Sequence, residues 1–150
     1  MKVRKPSPRL KTIFWLEIVL FVLLFAFMMV PAFYSDLRES FKDYFAPVFF
    51  SLAGLYFLLG GVLIWQTKKE KISGKLQKSL VLTGASAVGF LASVILHNLF
   101  YALWVVTKDI VWLSYLMEGL HAAFFIVAIF VCPIGFFIGA LVGIILLTRK

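Results

Sequence analysis

The chain has 150 residues, of which 63% are hydrophobic and 17% aromatic, with a net charge of +8. A soluble domain carries roughly 45–50% apolar residues, so the excess must face lipid, and four helices use up the length without leaving room for a soluble catalytic domain. The basic residues sit at the ends of apolar runs rather than along a stripe interleaved with stacking aromatics, which argues against nucleic acid as a partner. The one cysteine, Cys132, excludes an internal disulfide or a C-x-x-C pair.

Residues 1–11 read as a basic cytoplasmic arm, with Pro6 and Pro8 delaying the first helix. Residues 12–150 read as a single four-helix transmembrane domain with spans near 12–34, 46–66, 79–107 and 120–148. A hydrocarbon core about 30 Å thick takes roughly 20 helical residues to cross, and each stretch reaches that length. The first run also has features of a signal peptide: a basic start, an apolar run and Val30-Pro31-Ala32 as a small-x-small site. The run is longer than such segments usually are, and Glu17 interrupts it, so a retained span is the preferred reading. Ser35–Phe45 is amphipathic, with Leu37, Phe41 and Phe45 at four-residue spacing, and is expected to lie as a short helix on the outer surface. Pro47 fits the first turn of the second span. Thr67–Lys78 is a charged hairpin with Gly74 as its turn.

The third span carries Ala85, Gly89, Ser93, His97 and Tyr101 at four-residue spacing, and the fourth carries Gly135, Gly139 and Gly143. Small residues so spaced let a neighbouring backbone approach, so Ala85, Gly89, Ser93, Gly135, Gly139 and Gly143 are expected to be helix-packing positions. Residues 84–89 do not form a nucleophile elbow, because the glycine spacing is wrong and no strand precedes them. Ile110–Thr148 is too long for one straight crossing. Gly119 is expected to break it, leaving 110–118 at the interface with Trp112 and Tyr115, and Pro133 is expected to kink it.

Lys and Arg favour the cytoplasmic side of short loops. Twelve of the fifteen basic residues lie in the N-terminal arm, the 67–78 hairpin and the C-terminus, which four spans place on one side; only Arg38, Lys42 and Lys108 lie opposite. Both termini are therefore expected on the cytoplasmic face of a cell (plasma or inner) membrane.

Three ionisable groups fall within spans, where their cost makes each a functional candidate. Glu17 must be protonated, face the bundle or reach the interface; Thr83 and Ser86 are candidate partners. In that single position the chain resembles the proton-coupled small multidrug transporters, although it is longer and has none of their other signature positions. The resemblance implies a proton-coupling role for Glu17. His97 and His121 are the only histidines, and Glu118 shares a helix face with His121. The E-x-x-H pattern also occurs in di-iron bundles, but the second span supplies no matching carboxylate. A mononuclear metal site from His97, His121 and Glu118 remains open, as does a haem held by the two histidines; the structural alternative is hydrogen bonding to Asn98, Tyr101 or Tyr115. Counting from a turn at Lys108–Asp109 puts the histidines level. Counting from Ser79 and Thr148 puts His121 about 13 Å higher.

The sequence thus specifies an all-α integral membrane protein: a four-transmembrane-helix bundle with short external interfacial helices. Three functions are open. The first is a non-catalytic accessory or assembly subunit, acting in a homo-oligomer or a larger membrane complex. The second is a metal- or haem-binding membrane protein. The third is a small proton-coupled transporter using Glu17. No nucleophile–base pair marks an enzyme.

Overall fold

The structure, a computed structural model, describes residues 6–33 and 35–149. The side chains of residues 30–42 lie outside the description. So do the charges at Lys2, Arg4 and Lys5, the Val30-Pro31-Ala32 site and most of the amphipathic pattern of Ser35–Phe45. The helices are α1 (Pro8–Phe33), α2 (Ser35–Lys69), α3 (Gly74–Val106), α4 (Val111–Ile126) and α5 (Cys132–Thr148), with a π turn over Val127–Val131 joining the last two. Among the described residues, four helical runs, counting α4 to α5 as one, are long and apolar enough to cross a membrane. The protein is an all-α four-helix transmembrane bundle.

Each helix begins and ends for local reasons. Ser7 caps α1 by accepting the Leu10 N–H at 3.1 Å, and Pro8 occupies the first helical position, where a missing N–H costs nothing. The same Ser7 ties the start of α1 to the end of α2: its backbone N–H donates to Glu70 Oε2 at 2.9 Å, and its hydroxyl donates to Glu70 Oε1. Gln66 Nε2 donates to that carboxylate as well, at 3.0 Å. The α2–α3 turn closes with Gly74 at φ +75° and Lys71 at φ +54°. Gly74 takes this left-handed conformation without a Cβ penalty.

Several sequence expectations are corrected. Ser35–Phe45 is not a separate surface helix; it is continuous with α2, so Pro47 lies well inside that helix rather than in its first turn. Gly119 does not break the last span, and helix runs unbroken from Val111. An internal glycine costs only about 1 kcal/mol, less than the packing of α4 along α3 returns. Pro133 gives a widened turn: the Cys132 N–H donates to the Val127 carbonyl five residues back. A proline ring crowds the carbonyl four residues before it and offers no N–H to it, and a π turn relieves both problems.

α3 is the hub, packing against α2, α4 and α5, while α1 packs against α2. Two apolar clusters fill the bundle. One, towards the termini, contains Leu10, Phe14, Leu63, Ile72, Leu76 and Leu80. The other contains Leu20, Phe21, Ala53, Tyr56, Ala87, Phe90 and Phe136 among others. The tightest crossing is between α2 and α3. A Cβ built on Gly60 would lie 2.7 Å from the Gly84 carbonyl oxygen, and one on Gly84 would lie 2.6 Å from the Gly60 oxygen. On α5, Cβ atoms at Gly135 and Gly139 would lie 2.6 Å from Ser86 Oγ and Thr83 Oγ1, and one at Gly143 would lie 2.7 Å from the Phe14 ring. On α3 the stripe that meets α5 runs through Ser79, Thr83 and Ser86, all buried. Ala85 is exposed; Gly89 approaches Cys132 Sγ, and Ser93 is buried. The helix phase, which spacing alone leaves open in an all-apolar helix, is set by these contacts.

Overpacking of this kind costs about 1–3 kcal/mol. Gly84→Val is expected to lower the thermal midpoint of the detergent-purified protein, while Gly119→Val, beside which there is open space, leaves it nearly unchanged. Equal midpoints would contradict the α2–α3 crossing.

Candidate functional site

Glu17 lies between Phe14 and Phe21 on α1, at the seam of the two apolar clusters. It is 0% exposed, and neither carboxyl oxygen has a hydrogen-bond partner. Its Oε1 is 3.3 Å from where a Cβ of Gly60 would stand. Glycine at 60 therefore does two things: it admits the α3 backbone and leaves space for the carboxyl. Neither hydroxyl expected as a partner bonds to it. Thr83 Oγ1 donates to the Ser79 carbonyl at 2.9 Å, the back-bonding to a helix's own preceding turn that buried Ser and Thr commonly make, and Ser86 Oγ faces Gly135 of α5. Leaving a polar group buried without a partner costs about 1–3 kcal/mol, and more if it is charged. This helix tolerates that cost in the middle of its apolar run.

Beyond Glu17, towards the middle of the bundle, stand three aromatic rings. Phe21 stacks on Phe136 with centroids 4.3 Å apart, and Tyr56 lies 6.1 Å from Phe21 and 5.6 Å from Phe136. Phe21 is one turn from Glu17, and Tyr56 is one turn from Gly60. The far side of this partition is a cleft of about 110 Å³ between α1 and the π turn, lined by Phe21, Leu24, Tyr56, Phe90, Ala128 and Cys132 among others. Phe25 and Ile129 also line it and are 48% and 41% exposed on the outer surface of the bundle. The cleft therefore opens sideways, towards where the bilayer would be. Its walls are apolar apart from the Tyr56 hydroxyl and the Cys132 thiol. The sequence marked Glu17 but neither Tyr56, Gly60 nor the cleft. The Gly60-Gly61 doublet inside an apolar run was the available signal.

The second constellation is at the α3–α4 hairpin end. His97 and His121 are level and adjacent, with ring centroids 5.3 Å apart. The count from the hairpin turn holds, because α3 starts at Gly74 rather than Ser79 and the π turn spends residues of the last span without full axial rise. His97 Nδ1 lies 2.8 Å from the His121 backbone carbonyl; a carbonyl can only accept, so Nδ1 carries the proton and donates it. His121 Nδ1 is buried without a partner. Of the expected hydrogen-bond partners, Asn98 Nδ2 donates to the Val94 carbonyl at 2.8 Å, Tyr115 is 71% exposed, and Tyr101 meets His121 through its ring, edge-on. Tyr101 and Trp104 pack around His121 at 5.7 and 6.0 Å, and Phe125 packs on His97 at 5.4 Å. Glu118 is exposed, and among the described residues no three of His, Cys, Asp and Glu cluster as metal ligands. The structure brings His97 and His121 together without Glu118. Two imidazoles on opposite sides of one iron at about 2.0 Å would hold their centroids about 6 Å apart on a straight line through it; at 5.3 Å the two rings are closer than that and suit a bent arrangement better than a haem.

Comparisons with protein-family models, with curated proteins and with solved structures find no match to this chain.

Replacing Glu17 with leucine removes a partnerless buried carboxyl at similar volume. Its thermal midpoint is expected to rise, by a stabilisation of about 1–3 kcal/mol. A fall would mean that the carboxyl holds the bundle together.

Proposed function

We propose that this chain is a small membrane transporter whose working group is the carboxyl of Glu17, which exchanges a proton for a lipophilic cation. The observation that carries this reading is that Glu17 is wholly buried within a membrane-spanning helix with both oxygens unpartnered. Protein interiors rarely leave a polar group so, and an ionisable group kept inside a span is a functional candidate. A carboxylate buried there without a counter-ion costs several kcal/mol. A proton and a cation are alternative ways of removing that cost, and the site holds one or the other. That mutual exclusion is the elementary step of exchange.

The surroundings support the class of solute. The cleft faces the bilayer side and is apolar, so a solute enters from the lipid phase. The rings of Phe21, Tyr56 and Phe136 stand between cleft and carboxyl, and aromatic faces attract cations. Movement of this partition joins the two compartments. In the orientation favoured by the basic residues, with both termini cytoplasmic in the cell membrane, Glu17 lies in the cytoplasmic half of α1 and the cleft lies further out.

The test is uptake of tetraphenylphosphonium by proteoliposomes under an imposed proton gradient. Uptake above that of protein-free liposomes is expected for the wild-type chain, and uptake at their level for Glu17→Gln. If the two proteins accumulate the probe equally, Glu17 is not the coupling group.

A second observation favours assembly, either with another copy or within a larger membrane complex. Gly54 and Gly61, two turns apart on α2, have open space beside them. Gly61 lies in an external groove with Leu58, Val62, Trp65 and Val88. Four spans are few for a transport pathway, and a dimer through α2 would double them; the same surface serves a purely accessory subunit. Gly61→Ile is expected to shift the detergent-solubilised protein to a smaller mass by light scattering. An unchanged mass would place any assembly surface elsewhere.

A further inference from the structure

We propose that the α3–α4 hairpin end carries a binding site for a soft monovalent metal ion, copper(I), formed by His97, His121 and the thioether of Met117. This site is separate from Glu17. Gly84, which marks the level of Glu17, is thirteen residues before His97 along α3, about 20 Å of helix.

Three observations converge. The first is the tautomer. His97 donates its Nδ1 proton to the His121 carbonyl at 2.8 Å, which leaves Nε2 as its lone-pair nitrogen. A metal-ligating histidine is typically fixed in this way, by donating its other ring N–H to a carbonyl or carboxylate. The second is the separation of the rings. Two imidazoles bound to one ion at about 2.0 Å hold their centroids about 3.1 Å from it. A centroid separation of 5.3 Å then corresponds to a nitrogen–metal–nitrogen angle of about 115°. That is a bent arrangement with room for a third ligand. The third is the orphaned Nδ1 of His121, buried with no partner, for which coordination is one remedy.

The third ligand follows from the helix phase. Leu113, Ser114, Met117, Leu120, His121 and Phe124 are the half-buried positions of α4, and they mark the face towards α3, with Met117 near its centre. Met117 is one turn before His121 on that face, whereas Glu118 is turned outward. With two imidazoles and a thioether, and no carboxylate, the donor set suits copper(I) rather than magnesium, calcium or manganese. Trp104, 6.0 Å from His121, adds an aromatic face beside the ion; Lys108 lies 4.9 Å over the same indole.

The experiment is an anaerobic competition for copper(I) between the detergent-purified full chain and the chromogenic chelator bicinchoninate. All variants are made in a Cys132→Ser background, which removes the one thiol. One copper per chain is expected to be withdrawn from the chelator, with the withdrawal lost in His121→Gln and the affinity reduced about tenfold or more in Met117→Leu. Met117→Leu conserves volume and polarity class, so it keeps the proposal testable even if a histidine variant fails to fold. Copper retention equal to that of His121→Gln, or affinity unaltered by Met117→Leu, would overturn the proposal.

Discussion

The close crossing of α2 and α3 at Gly60 and Gly84 is the constraint on which the rest of the bundle depends. Each glycine faces the other's carbonyl oxygen across a gap that a single Cβ would overfill. In a bilayer the hydrophobic effect does little to bring helices together, because lipid is as apolar as leucine. Close packing at small residues replaces it. That contact sets the phase of α2 and α3. It thereby sets which side chains point inward from both, and it leaves the space beside Gly60 that the carboxyl of Glu17 fills. α3 is then free to meet α5 through Ser79, Thr83 and Ser86, where Gly135 and Gly139 receive it. Ser79 and Thr83 are bonded to their own helix and Ser86 faces Gly135, so the bundle closes around Glu17 without giving it a partner.

The second structural consequence comes from Pro133. The π turn before it turns Ala128 and Cys132 towards α1 and leaves a cleft where a regular helix would have continued the packing. π turns are rare and recur at functional positions. Here one forms the wall of the cleft that opens towards the bilayer. Phe21, Tyr56 and Phe136 fill the space between this cleft and Glu17. A carboxyl, an aromatic partition and a lipid-facing cleft are therefore in series along one axis of the bundle. The transport reading rests on the buried, unpartnered carboxyl, and this order of groups supports the class of solute.

Much of this was legible in the sequence. Runs of about twenty or more apolar residues state the number of spans, and Glu17, His97 and His121 stand out because ionisable groups are costly there. The glycines of α5 announced close packing, and each does face a neighbouring helix. The rest was hidden for a physical reason. When a helix is apolar all round, its sequence does not mark which face is inward, so Ala85 looked equivalent to Thr83 or Ser86. The same ambiguity hid Met117, which reads as ordinary apolar filling until α4 is seen against α3, and attached Glu118 to His121 although it faces outward. Gly119 and Pro47 do not break their helices, because an isolated glycine or proline is weak against tens of ångströms of helix packing. Tyr56, Gly60 and the cleft depend on contacts between α1, α2 and α5, which no local pattern encodes.

The central claim is that Glu17 holds a proton and a cation by turns. Infrared difference spectroscopy of the protein in lipid, recorded before and after adding tetraphenylphosphonium, tests it at the group itself. The account predicts a protonated-carboxyl C=O band that loses intensity when the cation is added and is missing from the Glu17→Gln difference spectrum. A spectrum with no such band, or one that the cation leaves unchanged, would contradict it.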